Sequence, residues 1–311
     1  MISEKVLGAY ASVGSLSGQE QVEWYKRAHR DWGISCFEIP LLGGVAMAPE
    51  LVEAFSEMKS SLVVTLVAQW ATKGQGNPAY GLSSLEESSR QEALVDAASV
   101  VRQCRALSEQ GIQIRNIVVH TGQRMGKPIP HAISFYRSLV QLRSAVAGVL
   151  PESVLSVELT DSRPPEHPIA FPASKKASLK LACLISTLAT VNREVGPGHP
   201  IPLVVNWGRV LINEDDPLAS IKEILDSDVP LAGVIMSGAG ASEQGFSDSH
   251  NSHLDPDSGF TEADASACAS ALASSSQSTF IGMKCSVAKG GDQVSVEEVL
   301  TAQAKILNDV G

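Results

Sequence analysis

Hydrophobic residues in this chain gather into short, nearly unbroken runs rich in Val and Ile. They lie at positions 6–13, 36–42, 61–70, 114–121, 154–160, 202–207, 232–237 and 279–285. A strand with one wet face would alternate apolar and polar residues. Unbroken apolarity predicts strands covered on both faces, as in a parallel sheet wrapped by helices. Segments of helical character fall between the runs, at 18–32, 49–59, 85–109, 131–148, 175–195, 218–225, 262–273 and 296–310. Ser17-x-x-Glu20, Ser84-x-x-Glu87, Thr261-x-x-Asp264 and Ser295-x-x-Glu298 read as capping boxes. Pro49 suits a first helical position, and Gly111 and Gly196-Pro197 read as stops.

Eight strand-then-helix units predict a closed (β/α)8 TIM barrel in the α/β class, a single domain over residues 1–311. The competing architecture is an open doubly wound sheet. A dinucleotide-binding sheet of that kind carries a glycine-rich first turn. Here the first run leads into Ala11-Ser12-Val13-Gly14-Ser15-Leu16-Ser17-Gly18, which is no GxGxxG. The segment 237–259 is long and polar, rich in Gly and Ser, and reads as a loop without regular structure. An Ala/Ser-rich stretch at 263–278 reads as a helix with a frayed end.

Composition narrows the function classes. A length of 311 residues alone would allow two domains, but the eight units use the chain without remainder. Net charge is −10, so the overall field repels phosphate backbones and disfavours nucleic-acid partners. No run of about 18 apolar residues is present, so no membrane helix is expected. The start, Met1-Ile2-Ser3-Glu4-Lys5-Val6, lacks a signal-peptide pattern. Five widely spread cysteines without CxxC fit reduced thiols, so a cytoplasmic location is expected.

In such a barrel the chemistry sits at the C-terminal strand ends. The ends here read Glu38-Ile39-Pro40, His120-Thr121-Gly122-Gln123, Glu158-Leu159-Thr160-Asp161, Asn206-Trp207-Gly208-Arg209, Ser237-Gly238-Ala239-Gly240 and Lys284-Cys285-Ser286. A carboxylate inside an apolar strand is costly to bury alone, so Glu38 and Glu158 need partners among His120, Lys284 and Arg209. These groups form either acid/base machinery or a closed salt-bridge network that fills the barrel top. His120 suits a general acid/base, a ligand or a hydroxyl donor. Lys284 is either an acid-paired ammonium or, with a depressed pKa, a Schiff-base nucleophile. Asn206, Trp207 and Arg209 offer an amide, a stacking face and a cation for a sugar-like ligand, with Ser237 and Trp70 as further substrate contacts. Asp248, His250 and His253 in the seventh loop, with Glu158, are the candidate metal ligands. Lys289 in Ala288-Lys289-Gly290-Gly291 offers a weak phosphate-binding turn.

Five of these stretches carry a family resemblance. They are Phe37-Glu38-Ile39-Pro40, Val157-Glu158-Leu159-Thr160-Asp161, Val205-Asn206-Trp207-Gly208-Arg209, Met236-Ser237-Gly238 with Asp248-Ser249-His250 after it, and Gly282-Met283-Lys284. With them the chain resembles the xylose-isomerase-like superfamily of barrels, which includes sugar isomerases, keto-sugar epimerases and an endonuclease branch. More narrowly it resembles a bacterial family known only as a domain of unknown function. The resemblance implies a carbohydrate-like small-molecule ligand and often a divalent metal, held by acidic or His ligands on strands five to eight. Glu158 matches that ligand pattern, whereas Asn206, Ser237 and Lys284 stand at the other three positions. A lysine in place of an acid opposes cation binding. The His-rich cluster of the endonuclease branch is not apparent.

The expected function is an isomerase- or epimerase-type proton transfer next to a carbonyl of a sugar or sugar acid. Glu158 is the expected base, His120 or Glu38 the second acid/base, and Lys284 the electrostatic stabiliser. A Schiff-base aldolase or lyase using Lys284, and a non-catalytic carbohydrate-binding barrel, are the alternatives. Neither nucleic acid nor membrane is expected as a partner, and a homo-oligomer remains open.

Overall fold

A computed structural model describes residues 1–14, 16–122, 127–162, 179–195, 198–243, 245–286 and 295–310. Eight parallel strands close into a barrel: β1 (Ile2–Leu7), β2 (Cys36–Pro40), β3 (Ser61–Thr65), β4 (Gln113–Val119), β5 (Val154–Leu159), β6 (Leu203–Asn206), β7 (Leu231–Met236) and β10 (Thr279–Met283). Leu7 pairs with Phe37 on one side and with Met283 on the other, which closes the ring. The remaining pair, β8 (Gly240–Ser242) and β9 (Gly245–Ser247), forms a small hairpin after β7. The predicted TIM barrel is therefore the observed fold.

The helices between barrel strands follow the sequence signals closely. They are α2 (Gly18–Trp32), α3 (Pro49–Glu57), α5 (Glu87–Glu109), α6 (Pro128–Val149), α7 (Leu181–Val195), α9 (Pro217–Leu225), α10 (Glu262–Ser274) and α11 (Val296–Asp309). The capping boxes at Ser17, Thr261 and Ser295 form as read, each side chain bonding the backbone three residues on. The one at Ser84 does not form: α5 starts later, and the Ser84 hydroxyl accepts from the Glu86 N–H instead.

Three short helices in the βα loops depart from the sequence reading. They are α1 (Tyr10–Val13), α4 (Val67–Gly76) and α8 (Trp207–Ile212). The runs 6–13 and 61–70 each join the end of a strand to the start of such a helix. Periodicity cannot separate a buried strand from a buried helix within a short apolar run, and Val13, Trp70 and Val210 are all buried. The loop 237–259 likewise holds the β8–β9 hairpin rather than irregular chain alone.

Strand side chains alternate between the helices and the barrel interior. Val6, Cys36, Val63, Val118, Val204, Ile235 and Phe280 form an inner cluster separate from the main core, one from each strand except β5. At β5 Ser156 accepts a buried hydrogen bond from Asn116 at 2.7 Å. Two glycines make the cluster fit. A Cβ on Gly233 would lie 2.4 Å from the Phe280 ring, and one on Gly282 would lie 2.5 Å from Ile235.

Candidate functional site at the barrel mouth

Two residues further along the other strands, and four beyond Phe280 on β10, the same alternation brings Gly8, Glu38, Thr65, His120, Glu158, Asn206, Ser237 and Lys284 to the mouth. All but Gly8 carry polar side chains, and all seven of those are buried. Glu38, His120, Glu158 and Lys284, proposed from sequence, thus meet in one layer. They divide into two groups on opposite walls, since β1 and β5 lie across the ring from each other.

On the first wall the Lys284 ammonium donates to Glu38 Oε1 at 3.0 Å. Tyr10 OH donates to the same oxygen at 3.3 Å, and its ring centroid lies 5.9 Å from Lys284 Nζ. Gly8 permits this pairing, because a Cβ there would lie 3.0 Å from both Glu38 Oε2 and Lys284 Cβ. On the second wall His120 Nε2 lies 3.1 Å from Glu158 Oε2, and Asn206 Nδ2 donates to Glu158 Oε1 at 3.1 Å.

The electrostatics differ between the walls. Burial alone would raise the Glu158 carboxyl, but Lys284, His120 and Arg209 hold it well below the ordinary carboxylate range. Burial raises the Glu38 carboxyl, and Lys284 offsets this only in part while Glu158 adds to it. Burial would lower the Lys284 ammonium, but Glu38, Tyr10 and Glu158 outweigh it and hold Lys284 above its ordinary value. The two buried carboxyls are therefore shifted in opposite directions.

Above the layer, Arg209 ties the loops together. It contacts Asp161 Oδ1 at 3.1 Å and pairs with Asp248. Its Nη2 lies 3.4 Å from His250 Nε2, and His250 Nδ1 lies 2.5 Å from Ser237 Oγ. Two acids thus engage Arg209. Trp207 is buried, and its indole N–H donates to the Gly259 carbonyl at 3.3 Å, so it anchors the seventh loop rather than offering a stacking face. Trp70 lies on α4 and lines a small cavity of about 20 Å³ with His120 and Tyr80. Its Nε1 has no hydrogen-bond partner among the described residues.

The candidate metal ligands do not converge. Glu158 sits in the layer, while Asp248 and His250 sit at Arg209. His253 points elsewhere, 3.7 Å from Glu262 on α10 and packed on Phe260. No group of three His, Cys, Asp or Glu among the described residues could hold a metal ion. A divalent cation beside Glu158 would face the Lys284 ammonium, so the residues present do not fit the group that the superfamily resemblance implies. The turn at 288–291 and Gln123 lie outside the described residues. Thr65 in the layer and Tyr10 just above it are not among the residues singled out from sequence. For Thr65 the signal was available, because it lies two residues beyond Val63 on a strand correctly read. For Tyr10 it was hidden by taking 6–13 as one strand.

A second cavity, about 450 Å³, opens at the opposite end of the barrel among Glu4, Arg115, Asn116, Ser153 and Phe280, and does not reach the layer.

No curated protein matches the chain by sequence. Solved structures match it along almost all of its length. An L-ribulose 3-epimerase superposes with a TM-score of 0.66 at 13% identity, covering 100% of this chain and 96% of that one. The 3-keto-D-glucoside 4-epimerase YcjR from E. coli gives 0.61 at 14%, covering 98% of each chain. A D-psicose 3-epimerase from Clostridium cellulolyticum H10, solved with D-tagatose, gives 0.63 at 10%, covering 99% and 98%. At such identities the likeness establishes the barrel fold they share. Residues 6–301 match the family described as a domain of unknown function, DUF4862, and with that match over nearly its whole length the chain belongs to this family.

Proposed function

We propose that the protein is a sugar isomerase- or epimerase-type enzyme that moves a proton next to a carbonyl. The observation that carries this is the split layer, with Glu158 beside His120 on one wall, its carboxyl held low, and the Glu38–Lys284 pair on the other, where the Glu38 carboxyl is raised. Two carboxyls pushed apart in pKa mark a base and an acid. Glu158 takes the proton from the carbon beside the carbonyl, and the C–H pair becomes the C=C of an enolate. The carbonyl pair moves onto oxygen, where the Lys284 ammonium stabilises the charge. Glu38 then returns a proton to carbon from the opposite wall, which inverts the centre. His120 holds Glu158 in place and stands ready as the alternative second acid/base on the same wall.

The layer also supports a hydroxyl-rich ligand. Glu38 Oε2, His120 Nδ1 and Asn206 Oδ1 are buried without partners among the described residues. Asn206 Oδ1 can only accept hydrogen bonds, His120 Nδ1 accepts when Nε2–H donates to Glu158, and Glu38 Oε2 accepts when ionised and donates when it carries the proton. The hydroxyls of a sugar supply both kinds of partner. The epimerases named above act on such compounds by their names, which adds support. The Schiff-base alternative is weaker, because Glu38 and Glu158 keep Lys284 charged and an ammonium is no nucleophile.

The test is exchange of carbon-bound hydrogen in D2O, followed by NMR over a panel of ketoses, aldoses and sugar acids. Exchange at a position next to the carbonyl, lost in Glu158→Gln, is expected. Binding without exchange across the panel would overturn the reading in favour of a non-catalytic barrel.

A further inference from the structure

Ser237 occupies the layer position on β7's side, between the two walls, and is only 1% exposed. The Oγ atom lies 2.5 Å from His250 Nδ1. The other ring nitrogen, Nε2, lies 3.4 Å from Arg209 Nη2, whose N–H points at it. A guanidinium nitrogen only donates, so Nε2 presents its lone pair to Arg209 and the ring proton sits on Nδ1. In that tautomer Nδ1–H donates to Ser237 Oγ. Protonation at Nε2, which would turn that atom toward Asp248 Oδ1 at 3.4 Å, leaves the Nδ1 proton where it is. In both of these states the serine oxygen accepts from His250 and its own hydrogen remains to be donated, whereas a neutral ring protonated on Nε2 would take that hydrogen at Nδ1. Apart from His250 the Ser237 hydroxyl has no hydrogen-bond partner among the described residues.

The loop is built to hold this ring. His250 is a non-glycine residue in the left-handed region, with φ 54°. Its carbonyl accepts from Ser286 N at 2.7 Å, and the Ser286 hydroxyl donates to the Ser249 carbonyl at 2.7 Å. The Ser249 hydroxyl in turn accepts from Gly240 N at 2.7 Å. A side chain in a costly backbone conformation persists only where its surroundings fix it.

From this geometry we infer that Ser237 is a second hydrogen-bond donor to the substrate's carbonyl oxygen, with His250 and Arg209 as positioning residues that fix the direction of its hydroxyl. The inference rests on the carbonyl chemistry proposed above. Lys284 follows Met283, which pairs with Met236 just before Ser237, so ammonium and hydroxyl rise from neighbouring strands toward one oxygen. As charge develops on that oxygen, the Ser237 hydrogen bond strengthens. No proton needs to leave the serine.

Two measurements decide it. Long-range ¹H–¹⁵N spectra of histidine-labelled protein, with the His250 signals assigned by their loss in His250→Asn, report which ring nitrogen is protonated. Nδ1–H is expected, and Nε2–H with a bare Nδ1 overturns the inference whatever the enzyme acts on. In the exchange assay Ser237→Ala should lower kcat by roughly 10²-fold with KM little changed, as for loss of one oxyanion donor. His250→Gly keeps the left-handed backbone but removes the donor, and should lose a comparable factor. His250→Asn suits the same backbone and places an amide N–H where Nδ1–H stood, so it should recover most of the loss. Equal activity of the Gly and Asn variants would make His250 merely structural and overturn the inference. If no ketose exchanges at all, the functional reading fails while the tautomer measurement still stands.

Discussion

Two layers of the barrel interior lie one above the other on the same strands and obey opposite rules. The lower one, from Val6 round to Phe280, is apolar and packed closely enough that Gly233 and Gly282 have no room for a methyl group. The upper one holds two carboxylates, a lysine and a histidine at equal burial, and leaves polar atoms without partners among the described residues. Burying an apolar side chain stabilises the fold, while burying a charge costs unless its partners compensate. The lower layer therefore reads as structure. The upper layer is held at a cost that packing does not explain, which supports the proposed role for it.

The largest expected effect comes from removing the charge on which the upper layer depends. Lys284→Met leaves Glu38 and Glu158 buried without their common cation, which should cost about 3–5 kcal/mol at neutral pH and abolish exchange. Without the ammonium, burial raises both carboxyls. They then bind protons as pH falls, so the deficit against wild type should shrink between pH 8 and pH 5. Urea unfolding at several pH values measures this. Adding Glu38→Gln should restore part of the stability. Wild-type stability in Lys284→Met at pH 7 would place Lys284 outside the network.

Ile235→Ala tests the lower layer. Truncating a packed isoleucine costs about 2–5 kcal/mol, and turnover per folded molecule should not change. Glu158→Gln is the mirror case, with exchange down by roughly 10²–10⁴-fold and a smaller change in stability. Its pH dependence follows from linkage. The folded Glu158 carboxyl lies below its unfolded value of about 4.3, so its contribution is present above that pH and lost as pH falls through the folded value. Wild type should lose stability between pH 5 and pH 3 more steeply than Glu158→Gln. Parallel slopes would mean that Glu158 is not held low.

The two layers were not equally legible. Eight unbroken apolar runs sufficed for the barrel, because parallel strands covered on both faces leave that signature. Glu38, Glu158 and Lys284 stood out as charges inside those runs, and they do meet in space. The surroundings of Arg209 and Trp207 are not legible, because a sequence does not show what a long loop brings back. Asp248 and Gly259, some 40 and 50 residues downstream, occupy their polar groups. His253 was grouped with His250 by proximity in sequence, yet the loop turns them toward different partners. Had β1 been ended at Leu7, Gly8 would have been counted as its layer position and Tyr10 placed on the loop above it.

Gly8 offers the finest test of the contrast, because it lets the polar layer close over β1. Its φ is not in the left-handed region, so backbone freedom is not the reason for glycine here. Space is the reason. Gly8→Ala would set a methyl 3.0 Å from Glu38 Oε2 and from Lys284 Cβ, tighter than ordinary contact. Relief requires the Glu38–Lys284 pair to shift, and overpacking of this kind costs about 1–3 kcal/mol. If the pair serves only to fill the barrel top, the shift should be absorbed with a stability loss alone. If it aligns an acid and an ammonium on a substrate oxygen, exchange should fall further than stability accounts for, with Glu158 chemically intact. Measuring kcat and urea stability on the same Gly8→Ala preparation separates the two, and unchanged kcat would return this wall of the mouth to structure.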